Sequence, residues 1–132
     1  MRSFVETAAH NVTQDGPIAW RKHFSDRPAF FMVVDGQMVF KDGETAKNAL
    51  PNVALAIRHI ELNWGDNLRV DPLTSELAVV AAPYQEIRVD AGGHRVEETG
   101  YFTAVAELRD GRWQFRDAHW SSAPSRHDPV TQ

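Results

Sequence analysis

Cysteine is absent from the chain. That excludes disulfides, thiolate nucleophiles and zinc sites built on sulfur. No stretch approaches the roughly 20 consecutive apolar residues of a membrane-spanning helix. The start, MRSFVETAAH, has no apolar run of signal-peptide length. Together these point to the cytoplasm, although a secreted chain trimmed of a leader and restarted at Met1 would read the same. Basic charge is also scarce: 14 Lys and Arg stand against 18 Asp and Glu, a net charge of −4. Such a balance gives no electrostatic footprint for nucleic acid or for an anionic membrane. Six histidines are present, His10, His23, His59, His94, His119 and His127, but no HxH or HExxH spacing joins them. No metal site is expected. Gly92-Gly93 opens no helix, so it is not a phosphate loop, and no cofactor is expected.

With 132 residues, 42% of them apolar, the chain suits one globular domain, without repeats or linkers. Phe4, Val5, Ala8, Ala9 and Val12 recur at helical spacing behind a possible Ser3 cap. Asp15-Gly16-Pro17 ends that helix, and Pro17 suits the opening of a short second one holding Trp20 and Phe24. PAFFMVVDGQMVF reads as a hairpin closed by Asp35-Gly36. A short helix follows from about Glu44, limited by Pro51. Long strands then cover about 57–70 with an irregularity at Asn63-Trp64-Gly65-Asp66, about 76–89, 94–109 and 112–122. Helices followed by a strand meander predict an α+β fold with a mostly antiparallel sheet. The domain is expected over 1–123, with a flexible polar tail at 124–132.

Turn lengths predict which side chains share a face. If Asp110-Gly111 is a two-residue turn, Ala106 faces Phe115, Ala104 faces Asp117 and Phe102 faces His119. If Ala91-Gly92 closes the preceding hairpin, Ala81 faces Phe102 and Val79 faces Ala104. One face would then be apolar near the turn and polar at Asp117 and His119. Alanines at its centre leave room for a cavity under the helices, with Trp20, Phe24, Phe31 and Trp64 as walls. The opposite face would carry Val80, Ala82, Tyr84, Tyr101, Thr103, Val105 and Trp120, apolar enough to suggest a dimer surface. A β-bulge near Pro83 would instead turn Tyr84 and Glu86 inward.

Five segments in order, DGPIAW, FKDGETAKNAL, ELAVVAAPYQE, GYFTAVAELRDGRW and AHWSS, resemble the nuclear transport factor 2-like superfamily, and more narrowly its SnoaL-like, ketosteroid isomerase-like branch. The similarity runs from about Phe4 to Ser122. It implies a cone-shaped α+β fold, a pocket inside the cone and a homodimer through the outer sheet face, with Tyr101, Thr103, Val105 and Trp120. It does not imply one chemistry, since such proteins include isomerases, cyclases, dehydratases and members that only bind or assemble. The tyrosine and aspartate oxyanion pair of ketosteroid isomerase relatives has no position here that a motif matches.

Three functions fit. The first is a small-molecule-binding pocket, for an apolar or mixed-polarity ligand, contacting Trp20, Phe24, Phe31, Trp64, Tyr84, Phe102, His119 and Ser121. The second is a cofactor-free acid–base enzyme, of isomerase, dehydratase or cyclase type, in which Asp117 orients His119, about 7 Å along the strand. The third is a dimeric assembly domain with a vestigial pocket. The plain alternative for Asp117 and His119 is strand-end structure. Tyr84 and Glu86 read either as a surface pair or as a proton donor and base.

Overall fold

The computed structural model describes residues 2–123. The tail expected at 124–132, with His127, lies outside them. Helix α1 (Arg2–Asp15) buries Val5, Ala8, Ala9 and Val12, the stripe that its periodicity predicts. Ser3 lies within this helix and does not cap it. Pro17 begins a 3-10 turn that runs into α2 (Trp20–His23). Strands β1 (Met32–Val34) and β2 (Gln37–Phe40) form the expected hairpin. Asp35 and Gly36 both take positive φ there, 47° and 85°, as its tight turn requires.

Helix α3 (Gly43–Ala56) is capped by Asp42, whose carboxylate accepts the Thr45 N–H at 2.7 Å. Pro51 does not limit it as expected. The helix continues five residues beyond, to Ala56. The cost of the proline is small here because Pro51 and Lys47, whose carbonyl loses its partner, are both exposed to water. Burial of Ala46 and Leu50 on the adjoining stripe holds the helix in place.

The long irregular strand expected at 57–70 is two strands, β3 (Ile57–Trp64) and β4 (Arg69–Pro72). Both pair with β5 (Leu77–Asp90), one after the other along its length. Strands β6 (Arg95–Arg109) and β7 (Arg112–Ser122) complete a curved, unclosed sheet in the order β2-β1-β7-β6-β5-β3. Its neighbours are antiparallel except β1 and β7.

The registers correct the expected faces twice. The β5–β6 loop has three residues, Ala91, Gly92 and Gly93, because the Asp90 N–H bonds to the His94 carbonyl at 3.0 Å. Gly93 takes the left-handed conformation such a loop needs (φ 86°). Ala82, not Ala81, therefore faces Phe102, and Val80 faces Ala104. The second shift is a bulge in β7. Ala106 pairs Phe115 as expected, but Val105 pairs Asp117, so Arg116 is an extra residue. The Asp117 carboxylate accepts the Val105 N–H at 3.0 Å, satisfying a backbone donor beside the disrupted ladder. Beyond the bulge Ala104 faces Ala118 and Phe102 faces Trp120.

The inner face accordingly carries Val80, Ala82, Tyr84, Phe102, Ala104, Ala118 and Trp120, all buried. Asp117 and His119 take the other face, and His119 is exposed. Aromatic rings crowd the centre: Phe102 lies 4.4 Å from Trp120, 5.2 Å from Trp64 and 5.1 Å from Phe115, centroid to centroid.

Candidate functional site

The alanines at the middle of the sheet do not line a cavity. The space lies to one side, between the sheet, α3 and the β1–β2 hairpin. It is about 290 Å³ and is walled by apolar side chains including Trp20, Phe24, Phe40, Leu50, Ile60 and Trp120. Val39 and Val53 sit at its rim and are 45% and 36% exposed, so the cavity opens between β2 and α3. Its polar groups are confined to one end: Tyr84, Glu86, Arg88 and Glu98. A concave, mostly apolar space with a few converging polar groups has the composition of a ligand site.

Strand geometry assembles this polar end. Tyr84, Glu86 and Arg88 alternate on β5 and so share a face. Glu98 of β6 lies directly opposite Glu86. The Arg88 guanidinium donates through Nη1 to Glu86 Oε1 and, at 2.6 Å, to Glu98 Oε1. Glu86 is the most buried of the three, its side chain 11% exposed. Burial raises its carboxyl pKa above the usual range; Arg88 opposes that rise and Glu98 adds to it. Burial, then the charges of Glu98 and Glu86, likewise raises the Tyr84 phenol, so its hydroxyl stays protonated. That hydroxyl has no hydrogen-bond partner among the described residues. The arrangement offers a buried carboxyl able to hold or take a proton, beside a neutral phenol that donates or accepts a hydrogen bond.

Of the residues the sequence singles out, Trp20, Phe24 and Tyr84 line this cavity. Phe102 is fully buried in the ring cluster. Trp64 stacks on Phe102 and Trp120, and its indole N–H donates to the Val5 carbonyl at 2.8 Å. Phe31 does not line the cavity. Its carbonyl accepts from the Ala118 N–H at 3.1 Å, while its neighbour Phe30 is the buried one. His119, Asp117 and Ser121 lie away from the cavity, because the bulge carries them to the outer face. No hydrogen bond joins His119 to Asp117 among the described residues. Trp120, expected on the dimer surface, is 9% exposed and faces inward for the same reason. Tyr84 and Glu86 do turn inward, through the three-residue loop and not through a bulge at Pro83, since the β5–β6 ladder is continuous there.

Sequence reasoning missed Arg88, Glu98 and Trp120. The signal for Trp120 was present: apolar residues fall at 113 and 115, then at 118 and 120, a change of parity that marks an inserted residue. A wider cleft of about 480 Å³ lies between α1 and the 62–68 segment. It is lined largely by surface polar groups such as Arg2, Glu6, His10 and Asp66. No group of three or more metal-ligating side chains occurs among the described residues. No helix among them is long and apolar enough to cross a membrane.

No protein-family model matches the sequence, and no curated protein does. Solved structures do. A nuclear transport factor 2-like superfamily protein from Salmonella enterica superposes with a TM-score of 0.77 at 11% identity, over 96% of this chain and 90% of that one. A Xanthomonas campestris protein, provisionally named a calcium/calmodulin dependent protein kinase II association domain, gives 0.74 at 18% identity, over 95% and 86%. A Novosphingobium aromaticivorans protein, provisionally named a scytalone dehydratase, gives 0.74 at 13% identity, over 93% and 81%. The chain therefore has the nuclear transport factor 2-like fold. Proteins of this fold are named both as enzymes and as association domains, so the fold alone selects no activity.

Proposed function

We propose that the protein binds a small molecule in the cavity beneath α3. One observation carries this: an apolar space of about 290 Å³ whose charged and phenolic groups, among the described residues, converge at one end. The apolar body of the ligand would rest on Trp20, Phe24, Phe40 and Leu50, and its polar group would meet Tyr84 and Glu86. Val34 lines the cavity and is partly exposed, so a larger side chain there narrows the space at little cost to folding. The test is a thermal-shift screen of small apolar compounds against the parent and Val34→Trp. Compounds that stabilise the parent should lose their effect on Val34→Trp. Hits that persist on the variant would put binding elsewhere and overturn the proposal.

A second reading, acid–base catalysis on the bound molecule, is favoured by the raised pKa of Glu86 beside the Tyr84 hydroxyl. In it Glu86, and not His119 with Asp117, moves the proton. Glu86→Gln would then bind a substrate and fail to turn it over. The homodimer is proposed through the outer sheet face. There Tyr101 is 48% exposed, beside Thr103 and Val105, and Val79, opposite Val105, is exposed as well. Sedimentation of Tyr101→Glu should give a monomer where the parent gives a dimer.

A further inference from the structure

Among the described residues, the polar end of the cavity has acceptors to spare and no free cation. Glu86 and Glu98 both use Oε1 on the same Arg88 nitrogen. Neither Oε2 atom has a donor among the described residues. Among the described residues Arg88 is the only cationic one lining the cavity, and it is already held by two carboxylates. With both ionised, the cluster carries two negative charges against one positive.

Tyr84 supplies an independent observation. The residue is 95% buried (5% exposed) and lines the cavity. Its hydroxyl has no partner among the described residues, yet among them no fully buried side-chain oxygen is left without one. The hydroxyl is therefore accessible, and because Tyr84 lines the cavity it can serve there as a further acceptor. The walls beside it are aromatic. Trp120 meets Trp20 at 5.6 Å and 79°, and Tyr84 at 5.1 Å and 85°. Rings set at right angles form a corner, and their faces attract cations through the ring quadrupole.

We infer that the cavity selects a ligand with an apolar or aromatic body ending in a protonated amine, which meets Glu86, Glu98 and the Tyr84 hydroxyl against the faces of Trp20 and Trp120. This rests on the cavity being the ligand site. A carboxylate-ended ligand would face two carboxylates and is excluded by the same charges.

The experiment is an NMR titration with three near-isosteres, 2-phenylethylamine, 2-phenylethanol and 3-phenylpropanoate, followed by tryptophan indole N–H signals. Trp20 and Trp120 line the cavity, and Trp113 does not and serves as the control. The amine should bind about tenfold or more tightly than the alcohol, as a charge-assisted hydrogen bond implies, with the carboxylate weakest. Glu98→Gln should bring the amine to the affinity of the alcohol. An unchanged Trp113 indole signal and an unchanged unfolding midpoint would show that its fold is intact. If the alcohol or the carboxylate binds as tightly as the amine, the amine selectivity is wrong and the pocket stands. If none of the three moves the Trp20 or Trp120 signal at millimolar concentration, the pocket falls as well.

Discussion

Glu86 of β5 and Glu98 of β6 stand directly opposite one another, and a single guanidinium, Arg88, joins them. Like charges so placed destabilise a sheet; here the shared arginine offsets them. Arg88→Met should therefore leave an unpaired, mostly buried carboxylate. Breaking a fully buried pair costs about 3–5 kcal/mol. Arg88 is 31% exposed on its side chain, so about 2 kcal/mol is expected at neutral pH. The pH dependence has a definite sign. The folded pKa of Glu86 is raised by burial, so its protonation favours the folded state. Stability from this group is full below the ordinary value of 4.5 and is lost as pH rises through the folded value. Removing Arg88 raises the folded value further. Urea unfolding of parent and variant should show a deficit that shrinks as pH falls from neutrality toward the ordinary value of 4.5. A deficit independent of pH would mean that Arg88 acts only by packing.

A second titration acts in the opposite sense. His23 is 6% exposed, packs against Phe4 and Trp20, and accepts a hydrogen bond from Asn11 Nδ2 at 3.1 Å. Its pKa falls to about 4, first through burial and then through Lys22 and Arg112. The imidazole is thus neutral in the folded protein. Its contribution is complete above pH 6.5 and disappears as pH falls from 6.5 through about 4. His23→Gln keeps an acceptor for Asn11 and does not titrate. Urea midpoints of this variant should change less between pH 7 and pH 4 than those of the parent.

The β7 bulge separates two neighbours that the sequence sets side by side. Trp120 is 9% exposed and touches Trp20, Trp64, Tyr84 and Phe102. His119 lies on the outer face and is exposed. Trp120→Ala should cost about 3–5 kcal/mol through cavity formation. His119→Ala should stay within about 0.5 kcal/mol, as an exposed change does. Chemical denaturation distinguishes the two faces at once. A severe effect at His119 with a mild one at Trp120 would restore the uninterrupted register.

That pair also marks how far the sequence can be read. Helix α1, the Asp35-Gly36 hairpin, the Asp110-Gly111 turn and the bounds of β5, β6 and β7 are local properties, and spacing and turn residues disclose them. Faces are not local. A loop of three residues at Ala91–Gly93 instead of two, and one inserted Arg116, each move every later side chain across the sheet. The candidate site suffered most, because it joins residues from both sides of these shifts. Trp20 and Phe24 precede the sheet, so no register shift moves them, and both line the cavity. Glu98 became visible as a partner of Glu86 only through the true β5–β6 register. Pro51 misled for another reason: the rule that proline ends helices presumes that the freed carbonyl is costly, and at exposed Lys47 water meets it.

Tyr84 gives the sharpest separation of binding from folding. Its ring is packed against Trp120 at 5.1 Å, and Phe preserves that packing. Its hydroxyl makes no hydrogen bond with any described residue, so its loss removes no protein contact. Tyr84→Phe should therefore leave thermal stability within about 0.5 kcal/mol of the parent, or slightly raise it, since a buried polar group is deleted. A ligand that uses the hydroxyl should lose roughly five- to tenfold in affinity, the worth of one hydrogen bond. The two measurements, thermal unfolding without ligand and titration with one, must disagree in size for the hydroxyl to be a recognition group. If stability instead falls with affinity unchanged, the hydroxyl is bonded within the protein and the polar end of the cavity is closed. The indole signals of Trp120, which touches both the ring and the cavity, report which of the two has happened.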